Sequence, residues 1–144
     1  DSMEYTTGAF RWLNGTPVIP ALYGAAEGSK ILRRAGIPAI REKSVRLTSR
    51  LIELADARGF GVHAPRDPSR RGGAVAVDVP HAYEVTQHLL SRNILVDYRV
   101  GAGIRIAPHF FTREDEVEEA VHEMDKSLES GSWQRFSEKI AVVT

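Results

Sequence analysis

Asp97-Tyr98-Arg99-Val100-Gly101-Ala102-Gly103-Ile104-Arg105-Ile106-Ala107-Pro108-His109-Phe110-Phe111 is the stretch that decides the fold. The apolar run Ile94-Leu95-Val96 precedes it, and Gly101 and Gly103 bracket a tight turn at its centre. Beyond the turn, Ile104 and Ile106 alternate with Arg105, so a strand here sends the arginine to the face opposite the isoleucines. A β-hairpin is expected. On a rigid strand the five fixed donors of Arg105 suit a planar anion such as a carboxylate, gripped in a fork. The same pattern also fits a solvated arginine on the polar face of an edge strand. Asp97 stands where it can join Arg99 and Arg105 in a polar cluster, which reads more as a structural ion pair than as an acid–base couple.

On the N-terminal side of the hairpin, Ala74-Val75-Ala76-Val77-Asp78-Val79 alternates as a strand, and Pro80 opens a helix running to about Arg92. Before that strand lies the loop 65–73, with three arginines and two glycines; it matches no phosphate-loop spacing and reads as a solvated turn. A short strand is expected at Gly61-Val62-His63. It follows a helix from about Ile40 to Arg58, in which Leu47, Leu51, Leu54 and Ala55 share one face and Gly59 marks the end. An earlier helix begins after the turn Asn14-Gly15-Thr16-Pro17, with Thr16 as N-cap and Pro17 at its first position. Pro20 complicates that start, because it lacks an N–H. Gly36 and Pro38 are expected to end this helix. On the C-terminal side of the hairpin, Thr112 caps a last helix, whose first turn holds Glu114, Asp115 and Glu116 and whose stripe is Val117, Ala120, Val121, Met124 and Leu128. Gly131 closes it. The order predicts an α+β domain, a small antiparallel or mixed sheet with helices packed on one face. Domain bounds follow: 1–16 linking, 17–131 the small α+β domain, 132–144 a tail.

The totals exclude several classes. In 144 residues there are 19 basic and 19 acidic side chains, so no basic surplus asks for nucleic acid or an anionic membrane. No apolar run approaches the roughly 18 residues of a membrane span, and the N-terminus has no signal-peptide pattern. Cysteine is absent, which removes disulfides, thiolate ligands and a cysteine nucleophile, and favours a cytoplasmic location. The five histidines, His63, His81, His88, His109 and His122, show no metal-ligand spacing. No nucleophile elbow, Walker loop or dinucleotide fingerprint occurs. By themselves these residues describe an α+β domain suited to an anion.

Three segments in order carry more. Phe10-Arg11-Trp12-Leu13-Asn14-Gly15-Thr16-Pro17, then Asp97-Tyr98-Arg99, then Gly103-Ile104-Arg105-Ile106-Ala107-Pro108-His109-Phe110-Phe111 with Glu114-Asp115-Glu116 resemble the C-terminal part of class-V aminotransferase-type enzymes. These are pyridoxal-phosphate enzymes of fold type I, and the kynureninase branch is the most similar. The resemblance runs from about residue 8 to 130. It implies that Thr16 reaches the cofactor phosphate across a homodimer, that Asn14 lies near substrate or cofactor, and that Arg105 binds the α-carboxylate of an amino-acid substrate. Arg99 is a second substrate-pocket candidate, and His109 either lines the pocket mouth or packs beneath the last helix. A hydroxyl and free N–H groups at a helix start are a ready anion site, in agreement with the role implied for Thr16.

The resemblance also implies what the chain does not hold. Enzymes of this type take a Schiff-base lysine from a preceding large domain, and Lys30, Lys43, Lys126 and Lys139 do not follow the histidine expected before it. No catalytic residue is therefore assigned here, and the segment alone is expected to be inactive. Cysteine desulfurase chemistry is disfavoured by the missing thiol; a kynureninase-like hydrolase, a transaminase and an epimerase stay open. A free-standing α+β binding or regulatory module without catalysis is the other reading.

Overall fold

A computed structural model describes residues 3–13 and 15–137. The chain divides into two compact units, Asp1–Ala39 and Ile40–Thr144. In the first, a 3-10 turn at Gly8–Trp12 precedes helix α1, Ile19–Ala35. The N-cap is Val18, not Thr16. Pro20 explains the shift: a helix capped by Thr16 would need the N–H of residue 20 for its first internal bond, and proline has none. Starting at Ile19 places Pro20 in the first turn, where no N–H is called on. Helix α1 buries none of its residues, and Ala9, Phe10, Leu13, Pro17 and Leu22 line a small apolar hollow of about 240 Å³.

Gly36 ends α1, and α2, Ile37–Asp56, begins at the next residue. Pro38 therefore opens the second helix instead of closing the first, again in a first turn. The second unit takes most of α2 and then alternates strands and helices: β1 Gly61–His63, β2 Val75–Asp78, α3 Ala82–Ser91, β3 Asp97–Arg99, β4 Gly103–Ile106 and α4 Glu114–Ser130. The strands form one antiparallel sheet in the order β1-β2-β4-β3. This is the expected α+β architecture.

Alternation sorts the two faces of the sheet. Val75 and Val77 of β2 and Ile104 and Ile106 of β4 are buried, and they form one core with Leu47, Leu51, Ile52 and Ala55 of α2, Val85 and Leu89 of α3, and Val117, Val121 and Met124 of α4. Each fully buried aliphatic side chain contributes about 1.5–3 kcal/mol of transfer free energy, so this shared core dominates the unit's stability. The other face carries Asp78, Arg105 and Arg99, all exposed. Two ion pairs tie α2 and its C-terminal turn to α4: Arg50 to Glu118 at 2.6 Å, and Arg58 to Asp125 at 2.9 Å.

Three local expectations change. The loop 65–73 is not a plain solvated turn, since Arg71 is only 4% exposed. Its guanidinium donates to the carbonyls of Pro65 (3.0 Å) and Arg66 (2.9 Å) and to the hydroxyls of Thr48 (3.1 Å) and Ser49 (2.8 Å). A buried charge so fully bonded holds the loop to α2. Helix α4 is capped one residue later than expected: Arg113 is the N-cap, its N–H donating to Glu116 at 2.8 Å, while the Thr112 hydroxyl accepts from the His109 N–H at 3.0 Å. Part of the 132–144 segment has regular structure, a 3-10 turn at Ser132–Phe136 whose Trp133 stacks on His81 at 3.5 Å between centroids; 138–144 lie outside the described residues.

The hairpin turns on Gly103. Its φ is +88°, and a Cβ there would sit 2.3 Å from the Val77 carbonyl oxygen and 2.7 Å from Asp78 Cα. Both obstacles are backbone of the neighbouring strand, which cannot step aside. Gly103→Ala is expected to destabilise the fold by about 2–5 kcal/mol, combining left-handed strain with overpacking; a urea or thermal melt measures it.

Candidate functional site

The open face of the sheet is built by register. Asp97 of β3 lies opposite Arg105 of β4, which lies opposite Ala76 of β2, which lies opposite His63 of β1. Ala76 is small, so Arg105 has a low neighbour on one side and a carboxylate on the other. Asp97 takes the guanidinium side-on: Nε donates to Oδ1 at 2.9 Å and Nη2 donates to Oδ2 at 2.8 Å. Arg99 pairs with the same Oδ2 at 2.6 Å, so one carboxylate lies between two arginines. His63 and Asp78 form a weaker pair on this face, 3.6 Å apart.

Arg105 is thus oriented but not used up. The side-on pair occupies Nε and one edge of Nη2, and among the described residues Nη1 makes no hydrogen bond. The side chain is 46% exposed. This pair leaves the end-on fork, Nη1 with the second hydrogen of Nη2, without a partner among the described residues, with the geometry that a carboxylate fits. The lock is the structural ion pair that the sequence suggested for Asp97, Arg99 and Arg105, and it holds Arg105 in one orientation instead of leaving it freely solvated.

The remaining sequence candidates fall as follows. Arg99 joins the cluster through Asp97. Thr16 lies in the first unit, in a bend ahead of α1, exposed and without a hydrogen-bonded partner among the described residues. Asn14 lies outside the described residues. His109 is exposed and gathers with Phe110 and Phe111, at 4.7 and 4.3 Å between centroids, so it does not pack beneath α4. Among the described residues no group of three or more His, Cys, Asp or Glu is arranged to hold a metal ion, and no helix is long and apolar enough to cross a membrane. A cavity of about 600 Å³ lies near the start of α4, walled by Ile94, Val96, Ile106, Pro108, Val117 and Ala120, and Arg105 does not line it.

A second polar cluster escaped the sequence reading. Glu123 of α4 is 2% exposed, yet it meets Lys126 at 3.1 Å, His88 at 3.5 Å and Arg92 at 3.5 Å. Burial works to raise its pKa, but the hydrogen bond from Lys126, the charge of Arg92 and the nearness of His88, whose Nε2 approaches to 3.5 Å without a well-formed hydrogen bond, prevail and hold it below the usual value. Ser132 Oγ lies 3.4 Å from His88 Nδ1 and 3.3 Å from Ser127 Oγ, so the cluster also anchors the 3-10 turn. The signal was Glu123 beside Met124 in a buried stripe, with Lys126 one turn on and His88 and Arg92 four residues apart at the end of α3.

Asp97 titrates below the usual 3.8, chiefly because Arg105 donates to it; slight burial opposes this, and the charges of Arg105 and Arg99 reinforce it. A carboxylate whose folded pKa is depressed stabilises the fold above its unfolded value and loses that contribution as pH falls through the folded one. Carbon-13 detection of the Asp97 carboxyl is therefore expected to show a midpoint below 3.8 in the wild type and a return toward 3.8 in Arg105→Ala.

A family profile described as the kynureninase C-terminal domain matches residues 40–124. The protein named kynureninase from Geobacillus thermodenitrificans (strain NG80-2) is 31% identical over 143 residues, covering 96% of this chain and 33% of that protein. The kynureninase from Burkholderia mallei (strain SAVP1) is 30% identical over 148 residues, covering 98% of this chain and 36% of its own length. The chain spans about a third of the length of the curated relatives it matches. Among solved structures, the apo cysteine desulfurase from Thermococcus onnurineus NA1 superposes with a TM-score of 0.76 at 23% identity, over 88% of this chain and 35% of that one. A NifS-like protein does so at 0.67 and 19%. At those identities the structural likeness is one of fold. The matched span runs from α2 into α4 and includes the Asp97–Arg105 pair: the chain belongs to the kynureninase C-terminal domain family.

Proposed function

We propose that this chain is the C-terminal domain of a pyridoxal-phosphate enzyme acting on an amino acid, a kynureninase-like hydrolase or class-V aminotransferase, and that it supplies anion grips to an active site completed by a large domain and a second subunit. The observation that carries the reading is the oriented, half-occupied guanidinium of Arg105 on the open face of the sheet. Arg105 binds the substrate carboxylate and Arg99 adds positive charge beside it; for Asn14 the family resemblance implies a contact with substrate or cofactor. Thr16 donates its hydroxyl to the cofactor phosphate, and its exposed, unbonded position fits that task.

Bound pyridoxal phosphate supplies an electron sink for bonds to the amino-acid Cα. The lysine that holds it comes from the large domain. Lys30 and Lys126 of this chain are tied to Glu27 and Glu123, at 2.6 and 3.1 Å. The part played by this chain is binding and orientation: fixing one end of the substrate restricts which Cα bond stands along the reaction path. With no cysteine in the chain, a desulfurase reaction would lack a nucleophile here. The homologous kynureninases, about three times as long, support a large domain outside this segment.

In the complete enzyme loaded with cofactor and assayed with L-kynurenine, Arg105→Ala is expected to raise KM by at least thirtyfold, as loss of a charge-assisted pair costs about 2–5 kcal/mol. An unchanged KM would take Arg105 out of the site. Thr16→Ala is expected to weaken cofactor retention severalfold, for a neutral hydrogen bond of about 0.5–1.5 kcal/mol, measured by equilibrium dialysis; unaltered retention would leave Thr16 a plain loop residue.

A further inference from the structure

We propose that Asp97 is a positioning residue for the carboxylate grip: by holding Arg105 side-on, it aims the end-on fork of that guanidinium at the substrate carboxylate. The inference rests on the reading of Arg105 given above and adds a second residue to the site. An arginine side chain has several free torsions, and leaving them unfixed until the ligand arrives costs affinity. Three features of the structure remove that cost in advance. Asp97 is held in register directly across from Arg105 in the antiparallel ladder, so the strand pairing sets the base of its side chain. Both of its oxygens are engaged with Nε and Nη2, at 2.9 and 2.8 Å, which fixes the guanidinium plane as well as its position. Strand β4 is clamped on its inner face by Ile104 and Ile106, 0% and 6% exposed, so the base of the side chain does not shift.

The side-on choice has a consequence. A carboxylate on the end-on fork would block the approach of substrate, whereas one on Nε leaves that fork open. Asp97 also draws Arg99 to its Oδ2 at 2.6 Å, which keeps the second guanidinium beside Arg105 despite their like charge. Positive charge is thereby concentrated at one edge of the sheet, between strands whose positions the core dictates.

The test is a double-mutant cycle in the complete enzyme loaded with pyridoxal phosphate, with titration calorimetry reading the dissociation constants of L-alanine and of L-alanine methyl ester, which has no free carboxylate. Asp97→Asn is expected to weaken L-alanine about tenfold, the scale for removing a group that orients a ligand-binding side chain, and to leave the ester unchanged. In the Arg105→Ala background the same substitution is expected to have no further effect. Asp97→Glu, which keeps the charge, is expected to bind L-alanine more tightly than Asp97→Asn does. Unchanged L-alanine affinity in Asp97→Asn, equal losses for L-alanine and its ester, an effect that adds to that of Arg105→Ala, or no recovery with Glu would each overturn the role of Asp97. If Arg105→Ala itself binds L-alanine as the wild type does, the underlying grip fails instead, so the two failures are distinguishable.

Discussion

The close approach of β4 to β2 is the constraint on which the second unit depends. Gly103 lies so near the Val77–Asp78 backbone that no side chain fits between them, and that contact sets the register of the whole strand. Once Val77 pairs with Ile104 and Ala76 with Arg105, the period of two does the rest. Ile104 and Ile106 enter the core beneath α3 and α4, and Arg105 has only the open face left to it. A slip by one residue would bury a guanidinium and expose two isoleucines, at a cost that no surface interaction offsets.

From that geometry the chemistry of the face follows. Arg105 stands between a small residue and an acid, Ala76 and Asp97, and is held by the acid without being covered. The two buried charged side chains among the described residues of the unit do structural work. Arg71 spends its donors on two carbonyls and two hydroxyls, and Glu123 is ringed by Lys126, His88 and Arg92. Arg105 keeps its Nη1–Nη2 edge free, as Arg113 does in its side-on pair with Asp115, but Arg105 does so from a strand clamped by the core. An arginine that is rigid, oriented and only half satisfied suits recognition better than stability, because an exposed pair of this kind adds little to folding free energy.

Much of this was legible in the sequence, for a physical reason that also sets its limit. Period-two alternation at 104–106, period-three-to-four stripes in α2 and α4, and the Gly101–Gly103 turn are local signals, and each element appears where they place it. The direction of Arg105 follows from its neighbours alone. Boundaries moved where proline and capping compete: Pro20 pushes the start of α1 to Ile19, Pro38 opens α2, and Glu116 draws the α4 cap to Arg113. What sequence could not reveal is long-range partnership. Arg71 looked like one of three loop arginines until Thr48 and Ser49, more than twenty residues away, supplied its acceptors. Asp97 was visible as a neighbour in a cluster, but its side-on hold on Arg105 depends on strand pairing, which fixes the two residues opposite one another.

The central claim is that the guanidinium on β4 receives a substrate carboxylate on the edge that Asp97 leaves free. A crystal structure of the complete enzyme with L-alanine bound tests it most directly. The account requires the alanine carboxylate within hydrogen-bond distance of Arg105 Nη1 and Nη2, with Asp97 still on Nε. A carboxylate bound elsewhere, with Arg105 turned to solvent, would contradict it.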